Sequence, residues 1–151
     1  MHPMMSTPPM PQRYITQSAE ETVALGVELA RLHPPPVTML LIGNLGAGKT
    51  TLAHGLSGGY GVDPDEVASP TFPLIHEYGD PVRVYHIDLY RLDTIAEVEG
   101  LGLDDIFASP AAVLMEWAER FPTLLPRRRV EVRLTALDED RREIVVTEVA
   151  A

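Results

Sequence analysis

Residues 40–56 read LLIGNLGAGKTTLAHGL, and they hold Lys49, the only lysine in the chain. Every other formally cationic side chain is an arginine. An ammonium kept at one position of an otherwise arginine-only chain asks for a chemical reason. Gly43-Asn44-Leu45-Gly46-Ala47-Gly48-Lys49-Thr50 fits G-x-x-x-x-G-K-[ST] without a gap, with an apolar run before it and a helical pattern after it. Glycines let such a loop wrap tightly and turn consecutive N–H groups towards phosphate oxygens, while the following helix adds its positive dipole end. The lysine passes beneath the loop as a compact charge between β- and γ-phosphates; the broad, planar fork of arginine needs bidentate partners and more room. Asn44, Leu45, Gly46, Ala47, Gly48, Lys49, Thr50 and Thr51 are the expected ATP-binding set, and the Thr50 hydroxyl is an expected Mg²⁺ ligand.

Working outward, VTMLLIG before the loop is a continuous apolar run, the pattern of a strand covered on both faces. Upstream, SAEETVALGVELARLH has Ser18 and Glu21 in capping-box spacing and is expected to turn Val23, Val27 and Ala30 inward, with Pro34-Pro35-Pro36 stopping it. Downstream, a helix is expected from Thr50 to about Leu56, ending in Gly58-Gly59. PLIHEY and VRVYHIDLY flank the turn signal Gly79-Asp80-Pro81, which predicts an antiparallel pair. TIAEVEGL reads as a short helix capped by Thr94, AAVLMEW as a buried strand, AERFPTLL as a short helix, and VEVRLTAL with REIVVTEV as two closing strands. The expected class is α/β, one P-loop domain over residues 13–151 with a mixed parallel and antiparallel sheet flanked by helices. Residues 1–12, rich in Met and Pro, read as a disordered tail or the product of an upstream start codon, without the features of a signal peptide.

A chain of 151 residues buries roughly 70% of its unfolded surface and needs no second domain. There is no cysteine, which removes disulfides and thiolate chemistry and suits a cytoplasmic setting. No apolar run reaches the ~20 residues of a membrane helix. The formal net charge of -10 repels phosphate backbones, so autonomous nucleic-acid binding is not expected. Arg127-Arg128-Arg129 is the exception, either a solvated loop or a contact for an acidic partner or RNA.

A P-loop enzyme commonly carries a metal-side carboxylate at the end of a second strand. Asp88 ends VRVYHID and Glu116 ends AAVLME; the pattern alone leaves both open, as metal-side acids or as plain strand-end acids. Trp117 is open between core packing and nucleotide contact. Ser69-Pro70-Thr71-Phe72 is either a γ-phosphate-sensing loop or ordinary turn chemistry. His54, His76 and His86 lack metal-ligand spacing and read as structural or surface residues.

GNLGAGKTT, SPTF, HIDLYRL, the E-x-x-G-L-G segment from Glu97 to Gly102, MEW and a late Leu-Pro occur in an order that resembles the TsaE (YjeE) family, bacterial P-loop ATPases of tRNA threonylcarbamoyladenosine synthesis. The resemblance runs from about Ser18 to Arg142. It implies Lys49 on the phosphates, Asp88 and Glu116 both at the metal with Thr50, Thr71 as a switch residue, and Trp117 beside the nucleotide. Lys49, Thr71, Asp88 and Glu116 are then the catalytic set. It further implies TsaD and TsaB as partners, with tRNA reached only through that complex and ATP hydrolysis resetting it between turnovers. Pro73 departs from the family, which carries Thr or Ser after SPTF. Three rivals remain on the residues themselves. A GTPase would need an N/T-K-x-D motif, for which there is no second lysine. A small-molecule kinase could draw a lid from Arg120 and Arg127 to Arg129. A non-catalytic, ATP-gated assembly module would need no turnover at all.

Overall fold

The computed structural model describes residues 11–66 and 74–150. Ser69 to Phe72, including Thr71, lies outside the described residues, as do Pro73 and residues 1–10. Seven strands form one sheet in the order β1-β7-β6-β2-β5-β4-β3. They are β1 (Gln12–Thr16), β2 (Val37–Ile42), β3 (Ile75–Tyr78), β4 (Val84–Asp88), β5 (Ala112–Glu116), β6 (Arg129–Ala136) and β7 (Arg142–Val149). β2 runs parallel to β5 and β6, and β4 parallel to β5; the outer pairs β3–β4, β6–β7 and β1–β7 are antiparallel. The mixed α/β sheet is therefore the one expected, with β3 and β4 the predicted hairpin.

β2 and β5 sit at the centre because their apolar runs have no polar face to spare. Met39 and Leu41 enter a core with Leu52, Leu56, Leu114 and Val132, and Leu40 and Ile42 enter the opposite one with Ile87, Val113 and Met115. Successive side chains of a strand point to opposite faces, so one six-residue run feeds both cores. The first core is roofed by α1 (Ala19–Leu32) and α2 (Lys49–Gly59). The second is covered by α3 (Ile95–Glu99), α4 (Leu103–Phe107) and the segment after β5.

α1 begins as expected: the Ser18 hydroxyl accepts from the Glu21 N–H at 3.1 Å, and the Glu21 carboxylate accepts from the Gln17 N–H at 2.7 Å. Its inward face is the expected one only at Ala30. Val23 and Val27 are 37% and 46% exposed, and the buried stripe is Thr22, Gly26, Leu29 and Ala30. The cause is the crossing with α2, where backbones nearly touch. A Cβ on Gly55 would lie 2.1 Å from the Val23 carbonyl oxygen, and one on Gly26 2.7 Å from that of Leu52. At the crossing itself, small size at Gly26 and Gly55 decides, whereas Leu29 is buried as an ordinary core side chain. Three further corrections follow. AERFPTLL forms no α-helix but two short 3-10 turns, Ala118–Arg120 and Pro122–Leu124, broken at Phe121 (φ -126°, ψ 58°) where the ring of Pro122 removes a donor. β1 was not anticipated and starts at Gln12, one residue before the expected Arg13; it is a short edge strand, largely exposed. α4 was likewise not anticipated.

Candidate functional site

Four parallel strands end on the same side of the sheet, and Lys49, Asp88, Glu116 and Trp117 come together at that end. Glu116 is in register with Leu41 of β2 on one side and Asp88 of β4 on the other. The loop from Gly43 to Gly48 leaves β2 and enters α2. Gly46 and Gly48 hold φ of 82° and 101°, the left-handed region that a β-carbon penalises. A Cβ on Gly43 would stand 2.6 Å from the Leu134 carbonyl oxygen, so the loop starts against the backbone of β6. The first helix-internal bond runs from the Leu52 N–H to the Gly48 carbonyl at 2.9 Å. The N–H groups of Lys49, Thr50 and Thr51 consequently have no acceptor within the helix and face its N-terminal end.

Lys49 is 5% exposed, and its Nζ is buried with no hydrogen-bond partner. The Trp117 ring faces the charge, 3.6 Å from Nζ to its centroid. Burial pushes the ammonium below the ordinary lysine range, and the carboxylates of Glu116, Glu119 and Asp88 pull it back up. Trp117 adopts φ 65°, the one non-glycine among the described residues in the left-handed region, and its ring also meets Tyr90 at 5.0 Å. Of the readings left open for it, core packing holds: it packs on the second core, and its ring also lies beside Lys49. A pocket of about 490 Å³ opens between the loop (Asn44, Leu45, Ala47), Trp117, Glu119 and the end of β6. That volume is of the size that takes a small organic ligand.

The residues expected at the metal are close by. Thr50 is exposed in the first turn of α2; Asp88 is half-buried and accepts from the Tyr90 N–H at 2.9 Å; Glu116 is 4% exposed. Among the described residues no three His, Cys, Asp or Glu side chains are arranged to hold a metal by themselves. One hydroxyl and two carboxylates are a hard-oxygen donor set, suited to an ion such as Mg²⁺ that takes its remaining ligands from phosphate and water. The partnerless ammonium and the free N–H groups suit a polyphosphate in the same way. Both groups fit the residues present.

Three site residues escaped the sequence reading. His86 was placed among structural or surface residues; it is buried, and its Nε2 lies 2.6 Å from Oε2 of Glu116. The signal was available in the period of two: Val84, His86 and Asp88 share a face, as do Ala112, Leu114 and Glu116. Glu119 lines the pocket with a buried, unpartnered Oε1. Arg142 of β7 donates from Nη2 to the Gly46 carbonyl at 3.3 Å, a contact across 96 residues that no spacing announces. Of the other histidines, His76 stands opposite His86 on β3, and burial holds its ring below the ordinary range, with His86 adding to the effect.

The family model of the threonylcarbamoyl adenosine biosynthesis protein TsaE matches residues 16–144. The chain belongs to the TsaE family. It is 39% identical to the tRNA threonylcarbamoyladenosine biosynthesis protein TsaE of Bacillus subtilis, over 91% of this chain and 85% of that one. It is 34% identical to its counterpart in Treponema pallidum, over 89% and 98%. A crystal structure of YdiB from Bacillus subtilis superposes with a TM-score of 0.75 at 33% identity, covering 93% of this chain and 87% of that one. TsaE membership puts the chain in tRNA threonylcarbamoyladenosine biosynthesis. No helix among the described residues is long and apolar enough to cross a membrane.

Proposed function

We propose that the chain is a Mg²⁺-dependent ATPase of low intrinsic rate that acts on a TsaD–TsaB complex in tRNA N6-threonylcarbamoyladenosine formation. The observation that carries this reading is the Lys49 ammonium, buried and without a hydrogen-bond partner at the N-terminus of α2. Burying an unpaired charge is expensive, and such a group persists where a ligand completes it. In this reading the free N–H groups and Lys49 bind the triphosphate, while Thr50, Asp88 and Glu116 hold Mg²⁺. Bound Mg²⁺ supplies Lewis-acid neutralisation of charge on the phosphate oxygens. Trp117 covers the lysine, and Glu119 lines the pocket close enough to favour the lysine's charge.

Arg142 and Arg120, the arginines that reach the loops around the site, are both engaged with backbone carbonyls. Arg142 is engaged with the Asp138, Glu139 and Arg141 carbonyls as well as Gly46. Arg120, the candidate lid residue of a kinase, donates to the carbonyls of Leu89, Tyr90 and Leu92, which ties the turn after β5 to the loop after β4. That engagement weighs against the kinase reading. It also accounts for weak turnover, since a finger supplied in trans can be worth about 10³–10⁵ in rate. The test follows Trp117 fluorescence and phosphate release with ATP, with and without Mg²⁺ and TsaB–TsaD. Expected are ATP binding by the chain alone, turnover raised by the partners, and Asp88→Asn keeping nucleotide binding but losing Mg²⁺-dependent turnover. Hydrolysis at tens per second without partners, or full turnover in Asp88→Asn, would sink the reading.

A further inference from the structure

Glu116 is in an unusual position for a metal-side carboxylate: it is inside the protein, with its side chain 6% exposed. A carboxylate at the end of a glutamate side chain rotates broadly about its last torsion, which settles into no sharp wells. Buried without a partner it would be both costly and poorly aimed. His86 removes both problems. It comes from the neighbouring strand, two residues before Asp88, on the face that Glu116 shares, and its side chain is as buried as that of Glu116 (6% exposed). A carboxylate can only accept, so Nε2 is the ring nitrogen carrying hydrogen, and it donates to Oε2 over 2.6 Å. On the other side His76 stands opposite His86 in the β3–β4 ladder, so the imidazole is flanked on both sides by packed strands.

We propose that His86 is the positioning residue of Glu116: by holding Oε2 it fixes the rotation of the carboxylate and leaves Oε1 as the oxygen for the metal. This rests on the Mg²⁺–ATP reading of the site and deepens it. The geometry also says which atom matters. The donor must stand where Nε2 stands, at the far side of the ring; glutamine can bring an amide N–H about that far, and asparagine cannot. A purely structural histidine would make no such distinction, because either amide would serve as a polar filler.

The experiment uses the full chain as wild type and as His86→Gln, His86→Asn, His86→Leu, Glu116→Gln and the His86→Asn/Glu116→Gln double variant. Binding of the fluorescent nucleotide mant-ATP is measured in EDTA and then as a function of Mg²⁺, with thermal melts to establish that each variant is folded. His86→Asn is expected to raise the Mg²⁺ midpoint by about 10–100-fold, the usual cost of losing a partner behind a metal ligand, with mant-ATP affinity in EDTA little changed. His86→Gln should recover most of the loss, and His86→Asn should add nothing once Glu116 is already Gln. His86→Leu is the second donor-free variant should His86→Asn not fold. The assignment is overturned by Asn and Gln variants with the same midpoint, by an Asn effect that survives unchanged in the Glu116→Gln background, or by an equal loss with and without Mg²⁺. A wild-type chain that binds mant-ATP with no response to Mg²⁺ overturns instead the metal reading beneath it.

Discussion

The two halves of the sheet treat charge in opposite ways. Along β1, β7 and β6, charged groups are near the surface and answered locally: Arg13 with Glu143 at 2.5 Å, Arg129 with Glu131 at 2.9 Å, Arg141 with Asp138 at 2.7 Å. Pairs of that kind contribute about 0–1 kcal/mol each and leave nothing for a ligand to complete. Around the ends of β2, β5 and β4 the charges are inside. Lys49 lacks a hydrogen-bond partner, Glu119 has a buried orphan oxygen, and Trp117 is held in a backbone conformation that costs on the order of 1–3 kcal/mol. One half is folded to be complete. The other leaves a buried ammonium and a buried carboxylate oxygen without hydrogen-bond partners, and that contrast locates the site.

The largest effect should come from Lys49→Met, which keeps the length and apolar stem of the side chain while deleting the charge. Nucleotide affinity should fall at least about 100-fold, the loss of two charge-assisted bonds at about 1.5–3 kcal/mol each. Without nucleotide, however, the variant should melt no lower than the wild type, because the deleted ammonium was a buried group with no hydrogen bond. Thermal denaturation with and without Mg²⁺–ATP reads both halves of the claim. A melting temperature several degrees lower in the free variant would mean that Lys49 stabilises the fold and that the contrast is drawn wrongly.

Gly55→Ala is the converse and the next in size. The added methyl would meet the Val23 carbonyl at 2.1 Å, with backbone on both sides and no flexible side chain to yield. Overpacking of this kind costs about 1–3 kcal/mol, a fall of roughly 2–4 °C in melting temperature per kcal/mol for a chain of this length. Affinity for nucleotide in the folded state should change far less than in Lys49→Met. A variant as stable as wild type would show that α1 and α2 can separate without cost, and would remove the reason given for burying Gly26 in the Thr22–Gly26–Leu29–Ala30 stripe.

That stripe also marks the limit of sequence reading here. The loop was legible because its chemistry admits few residue types: glycine where φ is positive, a buried lysine at the start of the helix, and threonine at the position expected to face a metal. The central strands were legible because an uninterrupted apolar run has few homes other than a doubly covered strand. Val23 and Val27 misled because hydrophobicity is only one reason to be inside; at the α1–α2 crossing the winning criterion is the absence of a side chain, and Gly26 carries no apolar signal. β1 was missed because QRYIT is mostly exposed and takes its order from pairing with β7. Asp88 and Glu116 could be singled out one at a time, but their adjacency, and the His86–Glu116 bond, belong to the register between strands 28–30 residues apart, which no local pattern encodes.

Arg142 is where the two halves meet, and it carries the smallest prediction. Its Nη1 donates to the carbonyls of Asp138, Glu139 and Arg141 at 2.8–3.2 Å, so the guanidinium closes the β6–β7 turn. Its Nη2 reaches the Gly46 carbonyl, and its side chain passes 3.5 Å from where a Cβ of Gly48 would be. A fork occupied on both prongs braces the loop through geometry; a charge acting on phosphate would do so through its sign alone. Arg142→Lys separates the two, because lysine keeps the sign and loses the fork. With bracing, Arg142→Lys and Arg142→Ala should both weaken ATP about 3–10-fold, mostly by faster release, at a stability cost of about 1 kcal/mol or less. Stopped-flow displacement of mant-ATP measures the release rate directly. If Arg142→Lys behaves as wild type while Arg142→Ala does not, the residue acts as a charge on the ligand, and the boundary between the complete half and the incomplete half moves to include β7.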